Sequence, residues 1–299
     1  MDYEVYIDGE KSSLNIKDIQ ITDRQGAQAD SIRLLVLNEQ GTEIDRGATI
    51  ECSFGGFKSG KMNIDGISST SRVASIGAVS SPIDAKKRRT RHWRKVRLFE
   101  IVNDVAVSCG AGVYYQGVEN HYYENVTQYR ETDLAFLSRL CTREGYNLKV
   151  DDNRLVIYKK SLVEAQKDAL TITPADVLQD RISFAENPNA VRSVTVKYFC
   201  TDRLISYTAT NGATIGEDIE ICEYMTADTE AERFAKSYLE AYAENDTTVD
   251  VFIPIADGVS AGSCVAITGY ARFDGRYFVT ECHHDPEKEQ TRLRGRKIK

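Results

Sequence analysis

The chain has 299 residues, of which 45 are acidic and 38 basic, for a net charge of −7, and 41 % are apolar. That length allows two or three packed units, the composition is that of a soluble globular protein, and the charge argues against a protein built to coat nucleic acid. The seven cysteines contain no CxxC pair and read as reduced thiols of an intracellular assembly site, the acidic start MDYEVYIDGEKSS lacks the apolar stretch of a signal peptide, and apolar runs of strand length are too short to cross a bilayer.

In chain order, the first segment reads as β. Tyr3, Val5 and Ile7 alternate before Asp8-Gly9, Ile32, Leu34 and Val36 before a turn at Asn38 to Gly41, and Ile50, Cys52 and Phe54 before Gly55-Gly56. Short strands with turn signals at this spacing suggest a barrel or sandwich. Residues 86–97, KKRRTRHWRKVR, then carry eight Lys or Arg and no acid. Outside that run 30 basic residues face 45 acidic ones, a surplus of 15 negative charges.

Leu98, Ile101, Val102, Val105, Ala106 and Cys109 form one helical stripe closed by Gly110. A second helix opens at Thr132, a good N-cap, with Asp133 suited to its positive end. Leu134, Leu137, Leu140 and Cys141 share its apolar face, Arg139 and Arg143 sit late in it, and Gly145 ends it. Tyr146 to Val150 and Leu155 to Tyr158 flank Asp151-Asp152-Asn153 as a hairpin. Residues 161–180 read as a linker and re-entry segment. The last third returns to β through Val194, Val196 and Tyr198, and again through Val249, Val251 and Ile253. One helix interrupts it. Its predicted capping box is Thr229 with Glu232, and its stripe is Ala231, Phe234, Ala235, Tyr238, Leu239 and Tyr242. Strands at Cys264–Thr268 and Tyr277–Cys282 follow.

Few constellations offer chemistry. GGFKSGKM, Gly55 to Met62, nearly matches a phosphate loop, but Met62 stands where the hydroxyl belongs, and strand-like residues follow where a helix is needed. A glycine turn in a hairpin is the better reading. Cys282-His283-His284-Asp285 suggests a metal, yet in a strand at most Cys282 and His284 share a face, and the only other histidines are His92 and His121. No GxSxG elbow occurs, and Cys109 and Cys141 look like core thiols. The reading is therefore no enzyme, with no catalytic, cofactor-binding or metal-ligating residue.

Several segments resemble the phage late-control D proteins, the baseplate hub family of contractile tails. Thr132 to Tyr158 resembles the family's helix-then-hairpin core. Glu232 to Leu239, Ala261-Gly262-Ser263-Cys264-Val265, and Gly269-Tyr270 followed by Asp274 to Val279 and His283 or His284 are similar to its closing motifs. The resemblance covers about Leu98 to the end and extends to the T-even phage hub and the N-terminal part of type VI secretion spike proteins. It implies a mainly β fold with α+β character, in which two tube-protein-like β-barrel domains flank a small α/β unit. The expected divisions are 1–90, 91–180 with the basic lead-in, and 181–299 with its inserted helix.

The implied function is structural. A homotrimeric ring in the tail baseplate of a phage, tailocin or related contractile injection system, assembled in the bacterial cytoplasm, would adapt the sixfold tail tube to a threefold spike. Implied partners are the tail tube protein, other baseplate proteins and the tape-measure protein, with no membrane and with nucleic acid only as passing cargo. No β-helical spike repeat follows within the 299 residues, so the spike is expected as a separate protein. Lys86, Lys87, Arg88, Arg89, Arg91, Arg94 and Lys95 are the expected protein-interface residues, pairing with carboxylates of a neighbouring subunit or of a tail partner, with a flexible exposed loop as the plainer reading of the run. The alternatives are a nucleic-acid-binding module using 86–97, with His92 and Trp93 stacking on bases, and, more weakly, a cell-wall hydrolase component with an acidic pair.

Overall fold

The computed structural model describes residues 2–37, 44–186, 191–244 and 246–298; the expected turn at Asn38 to Gly41 lies outside them. The first third is β throughout: β1 Tyr3–Ile7, β2 Glu10–Lys11, β3 Ile16–Arg24, β4 Ser31–Leu37, β5 Thr49–Phe54, β6 Phe57–Lys58, β7 Met62–Ser69 and β8 Val73–Val79. The middle holds β9 Arg88–Arg97, α1 Leu98–Cys109, β10 Gly112–Gln116, β11 Tyr122–Thr132, α2 Asp133–Arg143, β12 Tyr146–Asp151, β13 Arg154–Lys159 and α3 Lys160–Glu164. The remainder comprises β14 Leu170–Ile172, β15 Ile182–Glu186, β16 Val191–Cys200, β17 Arg203–Thr210, β18 Glu217–Cys222, α4 Asp228–Ala243, β19 Thr247–Pro254, β20 Cys264–Ile267, β21 Gly275–Asp285 and β22 Gln290–Lys297.

The fold is mainly β, as the sequence implied, but its two β regions are not separate bodies. One 14-stranded sheet runs β15-β19-β22-β21-β3-β4-β8-β7-β5-β1-β2, with β20 paired to β21, β14 to β20 and β6 to β5 beside that path, and no pairing among the described residues closes it into a barrel. The joint is the antiparallel pair β3–β21, with Glu281 opposite Arg24 and His284 opposite Ile21. β3 has nine residues, long enough to hold β4 along one edge and lend the end of its other edge to β21. Beneath the sheet the alternating residues of the first third form one core around Ile19, Ile21, Leu34, Ile50, Ile64 and Ile76. Val251, Ile253, Val265, Ile267 and Tyr277 belong to a second.

The middle unit follows its local signals closely. The α1 stripe predicted from spacing is the buried set, and Gly110 takes φ +69° at the C-cap. The Thr132 hydroxyl accepts the Ala135 N–H at 3.3 Å, and Gly145 takes φ +77°. Asp152 and Asn153 both have positive φ, the requirement of a two-residue hairpin turn whose twist matches its strands. Burying the α1 and α2 faces stabilises the unit by roughly 1.5–3 kcal/mol per large side chain.

Some boundaries moved. Residues 161–180 are not merely a linker: β14 pairs in parallel with β20. α4 begins at Asp228, and Glu230, not Glu232, caps it by accepting the N–H groups of Thr226 at 2.7 Å and Ala227 at 3.1 Å. α4 covers one face of the small sheet β17-β16-β18 through Ala231, Phe234, Ala235, Tyr238 and Leu239. Tyr242, expected on that stripe, is 46 % exposed and lies outside the core that α4 forms with the sheet.

Candidate functional site

The basic run is not a loop. Residues 88–97 form β9, which pairs antiparallel with β11 in a two-stranded ribbon. Successive side chains of a strand point to opposite faces, so the run is sorted in two. Arg89, Arg91 and Trp93 are half-buried and turn toward the helices, while Arg88, Thr90, His92 and Arg94 are exposed.

The inward side converges on Asp133, the first residue of α2, which is fully buried. Its Oδ1 accepts Arg91 Nη1 at 3.0 Å and Gln128 Nε2 at 2.9 Å, and its Oδ2 lies 3.3 Å from Arg89 Nε. Arg91 Nη2 also donates to Ser108 at 2.7 Å, reaching α1. A charge this deep survives only when paired and hydrogen-bonded. Trp93 stacks on Phe136 with centroids 5.2 Å apart and donates to Asp104 at 3.0 Å. Arg89 and Arg91, expected to meet a neighbouring subunit, are thus committed inside their own chain.

Lys86 and Lys87 precede the ribbon and pair with Asp65 at 2.8 Å and Asp84 at 2.5 Å. Arg88, Arg94 and Lys95 are exposed and, among the described residues, have no carboxylate partner within the chain. A bulge in β11 between Gln128 and Glu131 adds Tyr129 and Arg130 to the exposed surface, with the Arg130 guanidinium 5.5 Å from the Tyr129 ring centroid. The sequence reading did not single out this neighbour, 35 residues downstream of Lys95; the register of the ribbon supplies it.

Buried ion pairs hold the units together, and none was legible as such in the sequence. Asp23 at the end of β3 binds Lys149 of β12 through one oxygen and accepts the Ala261 N–H at 2.7 Å through the other. One carboxylate therefore pins all three parts of the chain. Asp30 stands 3.7 Å from the same ammonium. Burial pushes its carboxyl up to about 7, the charge of Asp23 adds to this, and Lys149 works against it. Arg143 is buried beside Phe234 and donates to Glu223 at 2.9 Å, and Glu144 accepts from Arg233 at 2.6 Å and Tyr123 at 2.7 Å. Those contacts fasten α2 to α4. Lys160 and Arg296 meet Glu244 and Glu164 where α3, α4 and β22 converge.

The two weaker motifs are structural. Gly55-Gly56 turns the β5–β6 hairpin, Met62 starts β7, and no helix follows to hold a phosphate. A Cβ on Gly55 would lie 2.3 Å from the Asp257 carboxylate, whose Oδ2 accepts the Gly56 N–H at 2.6 Å. In β21, Cys282 and His284 do share the inner face. His284 is buried between Phe54 and Phe57, its Nδ1 is 3.0 Å from the Thr291 hydroxyl, and burial holds its pKa down to about 4. Among the described residues no group of three or more His, Cys, Asp or Glu is arranged to hold a metal ion.

With this geometry in place, comparison with known proteins gives a consistent answer. The chain superimposes over 99 % of its length on the 43 kDa tail protein of prophage MuSo2 from Shewanella oneidensis, covering 98 % of that chain at 13 % identity and a TM-score of 0.76. A tail protein from Neisseria meningitidis matches over 99 % and 97 % of the two chains, at 14 % identity and a TM-score of 0.78. An Escherichia coli component of the type VI secretion system matches over 99 % and 77 %, at 12 % identity and a TM-score of 0.66. These likenesses show a shared fold. No curated protein matches by sequence. The family model described as "Phage tail baseplate hub (GPD)" matches residues 83–290, more than half of the chain and spanning the ribbon, the α/β unit and β21, so this chain belongs to the phage tail baseplate hub family.

Proposed function

We propose that three copies of this chain form a ring on the axis of a contractile tail or tail-like particle, joining a sixfold tube to a threefold spike. Family membership supports the hub role, and the observation that carries the ring is the β3–β21 seam. It makes the segments 1–90 and 181–299, proposed here as the two tube-like units of each copy, parts of one continuous sheet. Two β regions per copy give six around a threefold axis, which matches the tube. A heterologous contact that closes on itself generates such a ring. Residues 91–180 link the units along the chain, and the ion pairs at Asp23, Glu144 and Lys160 keep the three parts in fixed relation.

The role is geometric and not catalytic: the ring binds the tube protein and the rest of the baseplate above, presents a platform to the spike below, and lets cargo pass. It belongs in the virion tail and assembles in the bacterial cytoplasm. Imaging of the assembled particle tests this reading. Three copies on the tail axis are expected; six copies, or an off-axis position, would overturn it.

A further inference from the structure

We propose that the outward face of the β9–β11 ribbon is a docking surface for carboxylates of a second copy of this chain. This rests on the ring reading and names one contact within it. The surface consists of Arg88 and Arg94 of the outward face, Lys95, whose φ of +50° breaks the alternation of β9 so that Val96 and not Lys95 turns inward, and Arg130 of the β11 bulge, all exposed and, among the described residues, all without a carboxylate partner in their own chain.

Three observations carry the inference. The backbone that carries the cations is held in advance, because the opposite side of the ribbon is locked by Asp133 and by the Trp93–Phe136 stack; a strand that needs no further ordering loses less on association, and only the side chains remain to be fixed. Three of the four are arginines, whose planar forks pair bidentately with carboxylates. The second copy brings the complementary charge, since outside residues 86–97 each chain has 15 more acidic than basic residues. A nucleic acid fits less well. The only tryptophan faces inward, His92 Nδ1 is engaged with the Thr127 hydroxyl at 2.9 Å, and Arg89 and Arg91 are taken by Asp133.

Carbodiimide cross-linking of assembled particles tests the contact, since it joins a lysine amine directly to a carboxylate. The expected product is a covalent species containing only this chain, joined between copies through Lys95, and absent with Lys95→Gln. Reversing all four charges, with Arg88→Glu, Arg94→Glu, Lys95→Glu and Arg130→Glu, is expected to lower incorporation into particles by about tenfold or more while the purified chain unfolds at the wild-type temperature. Arg94→Glu alone provides the same reading with one exposed change. Lys95 linked to another tail protein, or unlinked in particles that form, overturns the proposal, as does normal incorporation of the reversed chain. Salt-sensitive binding of a labelled oligonucleotide that depends on the four cations overturns it in favour of nucleic acid. Three copies on the axis with no Lys95 link would leave the ring standing and remove only this contact, whereas a particle without three axial copies would remove both.

Discussion

The two faces of β9 carry the same residue type and do opposite work. On the inner face Arg89 and Arg91 surround a carboxylate with no solvent exposure and tie the ribbon to α1 and α2. On the outer face Arg88 and Arg94 are exposed without a partner among the described residues. Position in the pleat decides which charges are part of the core and which are available to a partner. A run of like charge is therefore not one patch, and mutating it as a block confuses folding with association.

The largest effect should come from breaking the inner face. Replacing Arg89 and Arg91 together with alanine leaves Asp133 charged and buried, and should cost about 3–5 kcal/mol in equilibrium unfolding by denaturant. A loss below 1 kcal/mol would show that the two faces do not differ. Asp133→Asn keeps the Gln128 contact but removes the charge from both arginines, and a smaller loss of about 2 kcal/mol is expected.

A buried basic side chain without a carboxylate sharpens the contrast. His284 has Phe54, Phe57 and Thr291 around it, with His283 and the more distant Asp23 as the charged or titratable neighbours acting on it. Its pKa is lowered from 6.5 to about 4 in the fold, so the unfolded chain takes up the proton first as pH falls. Its contribution is intact above pH 6.5 and is lost on going down toward 4, with a slope of at most about 1.4 kcal/mol per pH unit. His284→Gln should flatten stability against pH across that window; an unchanged slope would show that the imidazole is already free to protonate. The smallest effect belongs to the outer face, where Arg88→Ala and Arg94→Ala should each change the stability of the isolated chain by no more than about 0.5 kcal/mol.

Much of the middle unit was determined by sequence alone. The 3.6-residue stripe from Leu98 to Cys109, the Thr132 cap, Gly145 and the Asp152-Asn153 turn are local, and each names its own backbone conformation whatever surrounds it. The same holds for the alternating strands around Leu34, Ile50 and Val251, and for the glycine turn that displaced a phosphate loop. Three things were left to the tertiary structure. The seam between β3 and β21 joins residues some 260 positions apart, and alternation shows that a strand exists but not which edge it meets. The fate of the arginines needed a partner as well: in a segment where nearly every residue is polar, period two defines two faces without saying which is buried, and only the packing of Asp133 and Phe136 decides it. The joints at Asp23, Glu144 and Lys160 join charges on elements far apart in the chain. Each of those residues looks like an ordinary surface charge until the fold removes most of its water and leaves the opposite charge as its main compensation.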